Sequence, residues 1–551
     1  MLLGIDVGGT FTDAVLLEGS KPVSMAKVPT THNNVLQGIV HALDKVLVNQ
    51  KPEEIARAVI SSTIVTNSLA EDKLPPAFLA VIPGPGMNIE NAFPVKPYIV
   101  SGCVDHRGKI TASIDWSKHK DIFEHVTKCS AVSCKFAVRD PQLENLLAYE
   151  LNKHGAGKVY AGAQLNGELN FVRRTNSAYF SAQVHEVFIL FLEKVLEALR
   201  LRKISCPVHI LKADGGTIPL LSALHEPVEA IFTGPAASVL GIEALGAPEE
   251  NAISLDVGGT TTDIAFWENA KPLMARRGAS INNYPTAVRA FHMRSIGIGG
   301  DSRIQQMPNG EYEVGPERAG VCAALGGSEA TLSDALIIAG YVSFGDKAKA
   351  EAALKSFGED VCAEAKKIIA AAVGKISATI KEMLQEYAKQ PVYTVDDIVH
   401  EHVFEPELLI GVGGGSLGLV KAVGEAMQLT VSIPQGAVVA NAIGAAVARP
   451  TMSAGFRTDT SDGFYIIPEE GKKTRLPSGF DKDIAIGIVR KFLLDATKDW
   501  NLPDRETELI SYEHFYTIHD YYESGDIISL RMQLKPGILH KVEGREVSFD
   551  D

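Results

Sequence analysis

The residues whose types and spacing best suit chemistry form an eight-residue repeat. Residues 6–13 read DVGGTFTD and residues 256–263 read DVGGTTTD, so the two copies differ at one position. Each copy lies between two short apolar runs, which predicts a β-hairpin whose glycine turn presents backbone N–H groups and threonine hydroxyls. Glycine has no Cβ to keep a phosphate group away. One copy is consistent with a plain tight turn, whereas two near-identical copies favour a pair of phosphate-binding hairpins that face each other across a cleft.

The repeat supplies two kinds of candidate residue. Asp6 and Asp256, at the strand ends, carry the oxygen ligands that suit a hydrated Mg²⁺ ion. Asp13 and Asp263, after the turns, either orient an attacking group or cap the turn. These four aspartates are the catalytic candidates. The nucleotide-binding candidates in the two turns are Gly8, Gly9, Thr10, Phe11, Thr12, Gly258, Gly259, Thr260, Thr261 and Thr262. Among them, the threonines other than Thr261 are expected to bond phosphate oxygens.

Two further glycine clusters extend the candidate site. Residues 411–418 read GVGGGSLG between an apolar strand and a predicted helix, and a helix N-terminus after a glycine turn is a common phosphate or nucleoside cradle. We therefore predict that Gly413, Gly414 and Gly415 contact the adenosine side of the nucleotide. Residues 295–302 read SIGIGGDS, which makes Gly299 and Gly300 additional contact candidates, although a plain turning loop explains them equally well.

The two hairpins and the third cluster resemble the phosphate-1, phosphate-2 and adenosine motifs of the actin, sugar-kinase and heat-shock-chaperone ATPase superfamily. The resemblance implies two ribonuclease-H-like lobes that close on Mg-ATP. It also implies that the small-residue segments 235–245 and 437–448 are the helices that connect the lobes.

Within that superfamily the chain is similar to the N-methylhydantoinase A-like members of the hydantoinase/oxoprolinase family. The segments that carry this resemblance are STIVTNSLAE (62–71), ADGGTIPL (213–220), PVEAIFTGPAAS (227–238), SIGIGGDS (295–302), GPERAG (315–320), TLSDA (331–335) and VSIPQGAVVANAIGAAVA (431–448). The chain departs from the family at residues 320–327, where only Cys322 matches a Pro-Gly-Pro-Ala-Cys-Tyr stretch. It also carries Asp301 where a small residue is more common. Asp301 and Asp334 are open candidates for substrate or metal contacts.

The family resemblance implies an ATP-dependent cyclic amidohydrolase. Such an enzyme opens 5-oxoproline, a hydantoin or a related lactam by phosphorylating the amide oxygen. The implied cofactors are ATP and Mg²⁺, the implied partner is a hydantoinase B-like chain, and an oligomer is expected. Two alternatives stay open: an ATP-driven conformational switch or reactivating chaperone, and a component of an ATP-dependent ketone carboxylase.

The elements that must position these residues alternate strand and helix, which predicts an α/β fold. We expect two ribonuclease-H-like lobes of the actin-like ATPase type flanking a nucleotide cleft, with an inserted subdomain and a small α+β C-terminal tail. The predicted segments are the first part of lobe I (1–75), the inserted or distal subdomain (76–175), the rest of lobe I with a connecting helix (176–250), lobe II (251–450) and the C-terminal tail domain (451–551).

Individual elements are predicted within these segments. Residues 177–201 have helical spacing, and residues 347–389 predict one or two helices broken near Gly358 or Gly374. In the tail, residues 451–480 are expected to be loop-rich, and a strand is expected at 527–534.

Composition narrows the function class. Lys and Arg number 53 against 67 Asp and Glu, a formal net charge of −14, which argues against generic binding to nucleic-acid backbones. The six cysteines are scattered without a CxxC pair, and His400 and His402 lack a third ligand, so a zinc site is not predicted. Neither a signal peptide nor a spanning segment is evident, so a cytoplasmic location and no membrane contact are expected.

Overall fold

The computed structural model describes residues 1–31, 35–70, 74–276, 278–389, 404–470, 472–500, 502, 504–519 and 522–545. Glu71, His400 and His402, which appear in the sequence predictions above, lie outside these residues.

The α-helices are α1 (Val35–Val46), α2 (Ile64–Ala70), α3 (Gln142–Lys153), α4 (Gly162–Leu165), α5 (Phe171–Leu201), α6 (Thr233–Gly246), α7 (Leu332–Ile338), α8 (Lys347–Leu354), α9 (Val361–Ala388), α10 (Ser416–Met427), α11 (Ala440–Val447) and α12 (Lys482–Ala496).

Lobe I is built on a six-stranded sheet in the order β12-β11-β4-β1-β2-β3. β1 (Leu2–Val7) runs antiparallel to β2 (Phe11–Glu18) and parallel to β4 (Arg57–Ser62). Residues of β1 and β2 are buried almost throughout, because helices cover both faces of the sheet. The other strands are β3 (Lys21–Pro29), β11 (Val208–Leu211) and β12 (Thr217–Pro219).

Lobe II repeats this arrangement. β13 (Ala252–Val257) runs antiparallel to β14 (Thr262–Glu268) and parallel to β21 (Leu408–Val412), as their counterparts do in lobe I. The sheet order is β15-β14-β13-β21-β22, and β18 also pairs with β14. The remaining strands of this sheet are β15 (Lys271–Pro272), β18 (Met293–Ile296) and β22 (Thr430–Ser432). Both hairpins predicted from the repeat are therefore present, at equivalent positions in two related sheets.

A separate four-stranded sheet, in the order β10-β9-β5-β6, lies in the chain between the first strands of lobe I and α5. Its strands are β5 (Phe78–Ile82), β6 (Tyr98–Ile99), β9 (Cys129–Cys134) and β10 (Lys158–Ala161). The sheet has its own hydrophobic core with α3. Helix α5 begins six residues before the predicted start at 177, where Asn170 accepts a hydrogen bond from the Arg173 N–H and caps the helix.

Two helices rich in small residues cross between the lobes. A Cβ on Gly444 of α11 would overlap the Ala237 carbonyl of α6, and a Cβ on Gly241 of α6 would overlap the Ala440 carbonyl. The same helix α11 lies against β1, because a Cβ on Gly4 would overlap the Ala442 carbonyl. These close backbone approaches explain why the two predicted connecting segments are rich in Ala and Gly.

The C-terminal part forms a five-stranded sheet in the order β25-β24-β23-β27-β26, packed against α12. Its strands are β23 (Ser453–Asp459), β24 (Phe464–Ile467), β25 (Lys472–Arg475), β26 (Thr507–His519) and β27 (Tyr522–Leu534). The prediction that residues 451–480 are loop-rich is wrong. β23 pairs with β27 from residue 453 onward, and this long-range pairing supplies hydrogen bonds that the local sequence does not signal.

The remaining elements are short or cover lobe II. Residues 347–389 form α8 and α9 with the break at Gly358, whereas Gly374 lies within α9. Two-stranded sheets are formed by β7 (Cys103–Val104) with β8 (Ile110–Ala112), β16 (Ser280–Ile281) with β17 (Tyr284–Pro285), and β19 (Ser302–Gln306) with β20 (Tyr312–Arg318). Among the described residues, none of the helices is long and apolar enough to cross a membrane.

Candidate functional site

The two glycine turns face each other. The hydroxyl oxygens of Thr10 and Thr260 lie 3.4 Å apart, although the residues are 250 positions apart in the chain. A Cβ on Gly259 would come within 2.8 Å of the Thr10 hydroxyl oxygen. Each turn is closed by a backbone hydrogen bond, from the Gly8 N–H to the Phe11 carbonyl and from the Gly258 N–H to the Thr261 carbonyl. The structure therefore brings the two copies of the repeat into direct contact across the lobes.

Four aspartates gather at the base of these turns. Asp6 is the cross-strand partner of Asp13, and Asp256 is the cross-strand partner of Asp263. Asp6, Asp13 and Asp256 are buried, and Asp263 is half-buried. Burial raises the pKa of Asp13 and Asp256 to about 6 and that of Asp263 to about 7. Burial also raises the pKa of Asp6. The negative charges of neighbouring aspartates contribute to the raised pKa values of Asp13, Asp256 and Asp263.

Asn441 joins the two halves of this cluster. Its side-chain amide donates to Asp256 Oδ2 at 3.0 Å and to Asp6 Oδ2 at 3.5 Å from the N-terminal turn of α11. The Ser61 hydroxyl donates to the other oxygen of Asp6 at 2.6 Å. Asn441 was absent from the sequence-predicted site, although a lone amide within the small-residue segment ANAIGAAV is a usable signal for a polar role.

Lys27 of β3 supplies positive charge to the cluster. Its ammonium group donates to both Asp13 carboxylate oxygens, at 2.9 and 2.7 Å, and to the Val438 carbonyl at 3.2 Å. Its charge acts to lower the pKa of Asp6, Asp13 and Asp256, against the larger effect of burial. Lys27 also lies over the ring of Phe11, which is partly exposed in the first turn. Nothing in the local sequence distinguishes Lys27 from a surface lysine, so sequence reasoning did not find it.

The third glycine cluster lies against the second hairpin. The Gly415 N–H donates to the Val257 carbonyl at 2.9 Å, and Gly415 caps α10. Gly413 has a φ of 88°, and a Cβ there would overlap a carboxylate oxygen of Asp256. Gly414 is exposed, and a Cβ on it would lie 3.2 Å from Lys27 Cε. The cluster thus joins the second hairpin to the first lobe, and only glycine allows this approach at Gly413.

The SIGIGGDS loop (residues 295–302) packs against the second turn and donates backbone hydrogen bonds to it. The Gly300 N–H donates to the Gly258 carbonyl at 3.0 Å, and the Asp301 N–H donates to the Gly259 carbonyl at 2.7 Å. Gly299 and Gly300 are buried, and a Cβ on Gly299 would lie 2.6 Å from the Thr260 nitrogen. Asp301 is paired with Arg318 at 2.8 Å. Gly299 and Gly300 therefore hold the turn in place by backbone contacts.

Three predicted contacts differ from expectation. Thr12 and Thr262 are fully buried, because strand alternation directs them away from the face that carries Asp13 and Asp263. The Thr12 hydroxyl is 3.0 Å from that of Thr30, and the Thr262 hydroxyl donates to the Ile298 carbonyl at 2.6 Å. Neither hydroxyl faces the cleft. Asp334 is fully buried and accepts hydrogen bonds from the Thr331 N–H, at the N-cap of α7, and from the Ala323 and Ala324 N–H groups of a separate short turn, so both of its carboxylate oxygens are engaged within the fold.

The donor set fits a magnesium ion. Asp6 and Asp256 offer two carboxylates, and the Asn441 Oδ1 atom is buried without a hydrogen-bond partner among the described residues. Within the described part of the chain, His, Cys, Asp and Glu form no group of three or more arranged to hold a metal ion. Two carboxylates are nonetheless the usual protein share at a Mg²⁺ site, where water and substrate phosphates complete the coordination.

Two sheets of the same topology, joined by crossing helices and carrying opposed glycine turns, define the actin-like ATPase fold. The chain belongs to the hydantoinase/oxoprolinase family. The pattern of that family matches residues 174–454, and the pattern of its N-terminal region matches residues 2–155.

Three relatives are identical to this chain at about a quarter of the aligned positions. The alpha subunit of caprolactamase from Pseudomonas jessenii is 24% identical over 62% of this chain and 55% of its own length. The acetophenone carboxylase gamma subunit of Aromatoleum aromaticum is 25% identical over 64% of this chain and 56% of its own length. An uncharacterised protein of Methanocaldococcus jannaschii is 23% identical over 70% of this chain and 62% of its own length. The chain thus matches little more than half of the length of these relatives.

Solved structures confirm the fold over nearly the whole chain. Nucleotide-free acetone carboxylase aligns with a TM-score of 0.69 and 17% identity, covering 97% of this chain and 87% of that one. The ATP-dependent caprolactamase from Pseudomonas jessenii aligns with a TM-score of 0.65 and 19% identity, covering 96% and 87%. At these identities the likeness shows a shared fold, which includes the C-terminal sheet.

Proposed function

We propose that this chain is the ATP-binding component of an enzyme that opens a cyclic amide by phosphorylating the amide oxygen. The observation that carries the proposal is the direct opposition of Thr10 and Thr260 above a shared cluster of aspartates. Membership of the hydantoinase/oxoprolinase family and the similarity to a caprolactamase support the choice of a ring amide as substrate.

The proposed reaction has two stages. The amide oxygen attacks the γ-phosphorus of ATP, a P–O bond forms, and ADP leaves with the electrons of the broken bond. Water then adds to the ring carbon and loses a proton, and the C–N bond breaks as the nitrogen takes up a proton, which leaves an acyl phosphate. A second water attacks this acyl phosphate, phosphate departs, and the product is a free carboxylate. Phosphorylation is required because an unactivated amide oxygen is a poor leaving group.

The residues of the cleft take defined roles in this proposal. The hydroxyls of Thr10 and Thr260 and the N–H groups of both turns donate to phosphate oxygens. Because these hydroxyls lie 3.4 Å apart, the turns must separate to admit a phosphate group. Asp6 and Asp256, steadied by Asn441, would hold Mg²⁺, which neutralises charge on the phosphates.

Asp263 is the proposed base that holds the proton taken from water. Burial raises its pKa to about 7, and a general base works best when its pKa is near the operating pH. Asp13 is less suited to this role, because both of its carboxylate oxygens accept hydrogen bonds from Lys27.

A partner chain is part of the proposal. The named relatives are an alpha and a gamma subunit, which supports assembly with a hydantoinase B-like chain in an oligomer. A cytoplasmic location is supported by the six cysteines, all of which are free.

A component of a ketone carboxylase is the second candidate. The structural similarity to acetone carboxylase, with a TM-score of 0.69, favours it as much as the caprolactamase favours ring opening. Both chemistries fit a site that transfers phosphate to an oxygen atom, so the cleft geometry alone does not choose between them.

The test is release of ADP with a substrate panel, with and without a co-expressed partner chain. We expect stimulation by 5-oxoproline, a hydantoin or a simple lactam, and its loss in Asp256→Asn, which keeps the shape of the side chain and removes a buried charge. Stimulation by ketones with bicarbonate would select the carboxylase. Stimulation of ADP release by a protein partner, with no further increase from any small-molecule substrate, would contradict both enzyme proposals and favour a conformational switch.

A further inference from the structure

An ion pair lies beside the point where the two glycine turns meet, and the roles proposed above do not use it. Its members are Asp301, which precedes β19, and Arg318, which ends β20. Arg318 lies opposite Ser302 in the β19–β20 ladder, and the Ala319 N–H donates to the Asp301 carbonyl at 3.0 Å. This strand pairing sets the two charged side chains next to each other.

The Asp301 carboxylate reaches the contact between the turns. The Asp301 N–H donates to the Gly259 carbonyl at 2.7 Å. A Cβ on Gly259 would lie 2.8 Å from Asp301 Oδ2 and also 2.8 Å from the Thr10 hydroxyl oxygen. Because both oxygens are this close to the same point, they are near neighbours across the two lobes. The carboxylate therefore lies beside the space that a phosphate group between the turns would take.

A carboxylate at this position is tolerable for a phosphate only with a cation beside it, since two negative charges repel each other. The Arg318 Nε and Nη2 atoms donate to Asp301 Oδ2 at 3.1 and 2.8 Å. Burial raises the pKa of Asp301, and Arg318 acts in the opposite direction through its hydrogen bonds and its charge. The oxygen that accepts both bonds is the one that faces Gly259, so the guanidinium charge lies next to the second turn.

We propose that Arg318 donates to the phosphoryl group that ATP transfers, and that Asp301 is the residue that positions it. Guanidinium N–H groups form charge-assisted hydrogen bonds with phosphate oxygens. A cation that is fixed before the reaction also stabilises the charge that develops during phosphoryl transfer. In the first lobe Lys27 is paired with Asp13 in the same way, so each turn has a carboxylate–cation pair beside it.

The contact belongs to the nucleotide step of the proposed function and rests on that function. It is the same whether a ring amide or a ketone accepts the phosphoryl group. ADP lacks the phosphoryl group that is transferred. A contact made to that group by Arg318 therefore favours the binding of ATP over that of ADP.

The test is calorimetric titration of the full chain with MgADP and with the magnesium complex of adenylyl imidodiphosphate, an ATP analogue that resists hydrolysis. The ratio of the two affinities measures contact with the terminal phosphate. Arg318→Met should lower this preference for the analogue about tenfold or more, because a hydrogen bond to a charged group is lost. Arg318→Gln is the second variant, should the first fail to fold. Arg303→Met removes an exposed arginine of β19, paired with Glu317, and should leave the ratio unchanged.

A double variant separates a phosphate contact from mere shielding of Asp301. In Arg318→Met the Asp301 carboxylate loses its cation, and its repulsion alone would weaken binding of the analogue. Combining Arg318→Met with Asp301→Asn removes that repulsion. We expect the ratio in the double variant to stay about tenfold or more below the ratio in Asp301→Asn alone, since the contact itself is missing.

Three results would overturn the proposal. They are a double variant with the ratio of the parent, an equal loss of both affinities in Arg318→Met, and an unchanged ratio in both Arg318 variants. A parent chain that binds neither nucleotide would contradict the proposed function and this contact together. A parent that binds both nucleotides, with Arg318 variants that keep its ratio, would contradict the contact alone.

Discussion

Asp6 and Asp256 occupy equivalent positions in two sheets, and Asn441 donates to both. Burial raises the pKa of Asp13, Asp256 and Asp263, and the negative charges of neighbouring aspartates add to the rise, so ionising the whole cluster is costly. Lys27 is the cation that offsets it. At the scale of residues, the site is a balance between buried negative charge and one positive side chain, which a bound metal ion would complete.

Replacing Lys27 tests that balance. Its charge lowers the pKa of Asp6, Asp13 and Asp256, so Lys27→Met should raise all three. These carboxylates must be ionised to hold a metal ion. With higher pKa values they become protonated at a higher pH as the solution is acidified, and ATP turnover falls there. The acidic limb of the kcat/KM profile for ATP turnover should move up by about one pH unit. Lys21→Met, an exposed lysine on the same strand, is the control, and an equal profile for both variants would contradict the role of Lys27.

Replacing glycine by alanine should destabilise the protein to different extents in the two turns. A Cβ on Gly259 would lie 2.8 Å from both the Thr10 hydroxyl and an Asp301 carboxylate oxygen, whereas one on Gly9 meets only the Asn67 amide nitrogen, at 3.4 Å. Gly259→Ala should lower the free energy of unfolding by about 1–3 kcal/mol through overpacking. Gly9→Ala should stay within about 0.5 kcal/mol of the parent. Chemical denaturation without nucleotide measures both, and equal costs would argue against contact between the turns.

At the scale of elements, the crossing of α6 and α11 fixes how the lobes meet. Gly241 and Gly444 let the two backbones touch, and α11 also carries Asn441 to the aspartates. Helix α9 contains a glycine of another kind, because a Cβ on Gly374 would meet nothing within 4 Å. Glycine is thus required for helix packing at Gly444, whereas at Gly374 it only lowers the helix propensity of α9.

This contrast predicts opposite effects of alanine. Gly444→Ala should destabilise the protein by about 1–3 kcal/mol or more, because its Cβ overlaps the Ala237 carbonyl and backbone cannot move aside easily. Gly374→Ala should stabilise it by up to about 1 kcal/mol, the difference in helix propensity. Thermal unfolding of the two variants against the parent measures this. A destabilised Gly374→Ala variant would show that the glycine has a packing role.

At the scale of the molecule, the buried acids link stability to pH. Asp263 has a pKa raised to about 7 in the folded state, from an ordinary value of 3.8. Between these values the folded chain binds more protons than the unfolded chain. Its contribution to stability is therefore present at low pH and lost as pH rises through about 7.

Asp263→Asn isolates this contribution. The parent should lose more free energy of unfolding than the variant between pH 5.5 and pH 8, by about 1–2 kcal/mol after allowance for the partial exposure of Asp263. Half-buried His209, whose pKa is lowered to about 4, acts in the opposite direction between pH 4 and 6.5, but it does so equally in both proteins. Urea denaturation at the two pH values measures the difference. Parallel pH dependence in parent and variant would contradict the raised pKa.

Much of this architecture could be predicted because its signals are local. The hairpins at residues 6–13 and 256–263 and the apolar strand before the third glycine cluster follow from short-range patterns of glycine and apolar residues. The same kind of pattern predicts helices over residues 347–389 but leaves the break at either Gly358 or Gly374, and the structure places it at Gly358. Strand β23 was not predicted, because its pairing partner β27 lies at the far end of the tail, and β24 and β25 extend the sheet outward from β23. Local propensity carries little information about such partners.

The sequence by itself determined the family, the paired hairpins and the residues in their turns, since a repeated octapeptide is visible without coordinates. Only the tertiary structure decided which side chains meet at the base of the turns. Lys27 reaches the carbonyl of Val438 across 411 positions, and Asn441 reaches Asp6 across 435. It also decided that Thr12 and Thr262 point away from the cleft. Contacts over such separations depend on how two sheets and two crossing helices pack, and no local pattern records that packing.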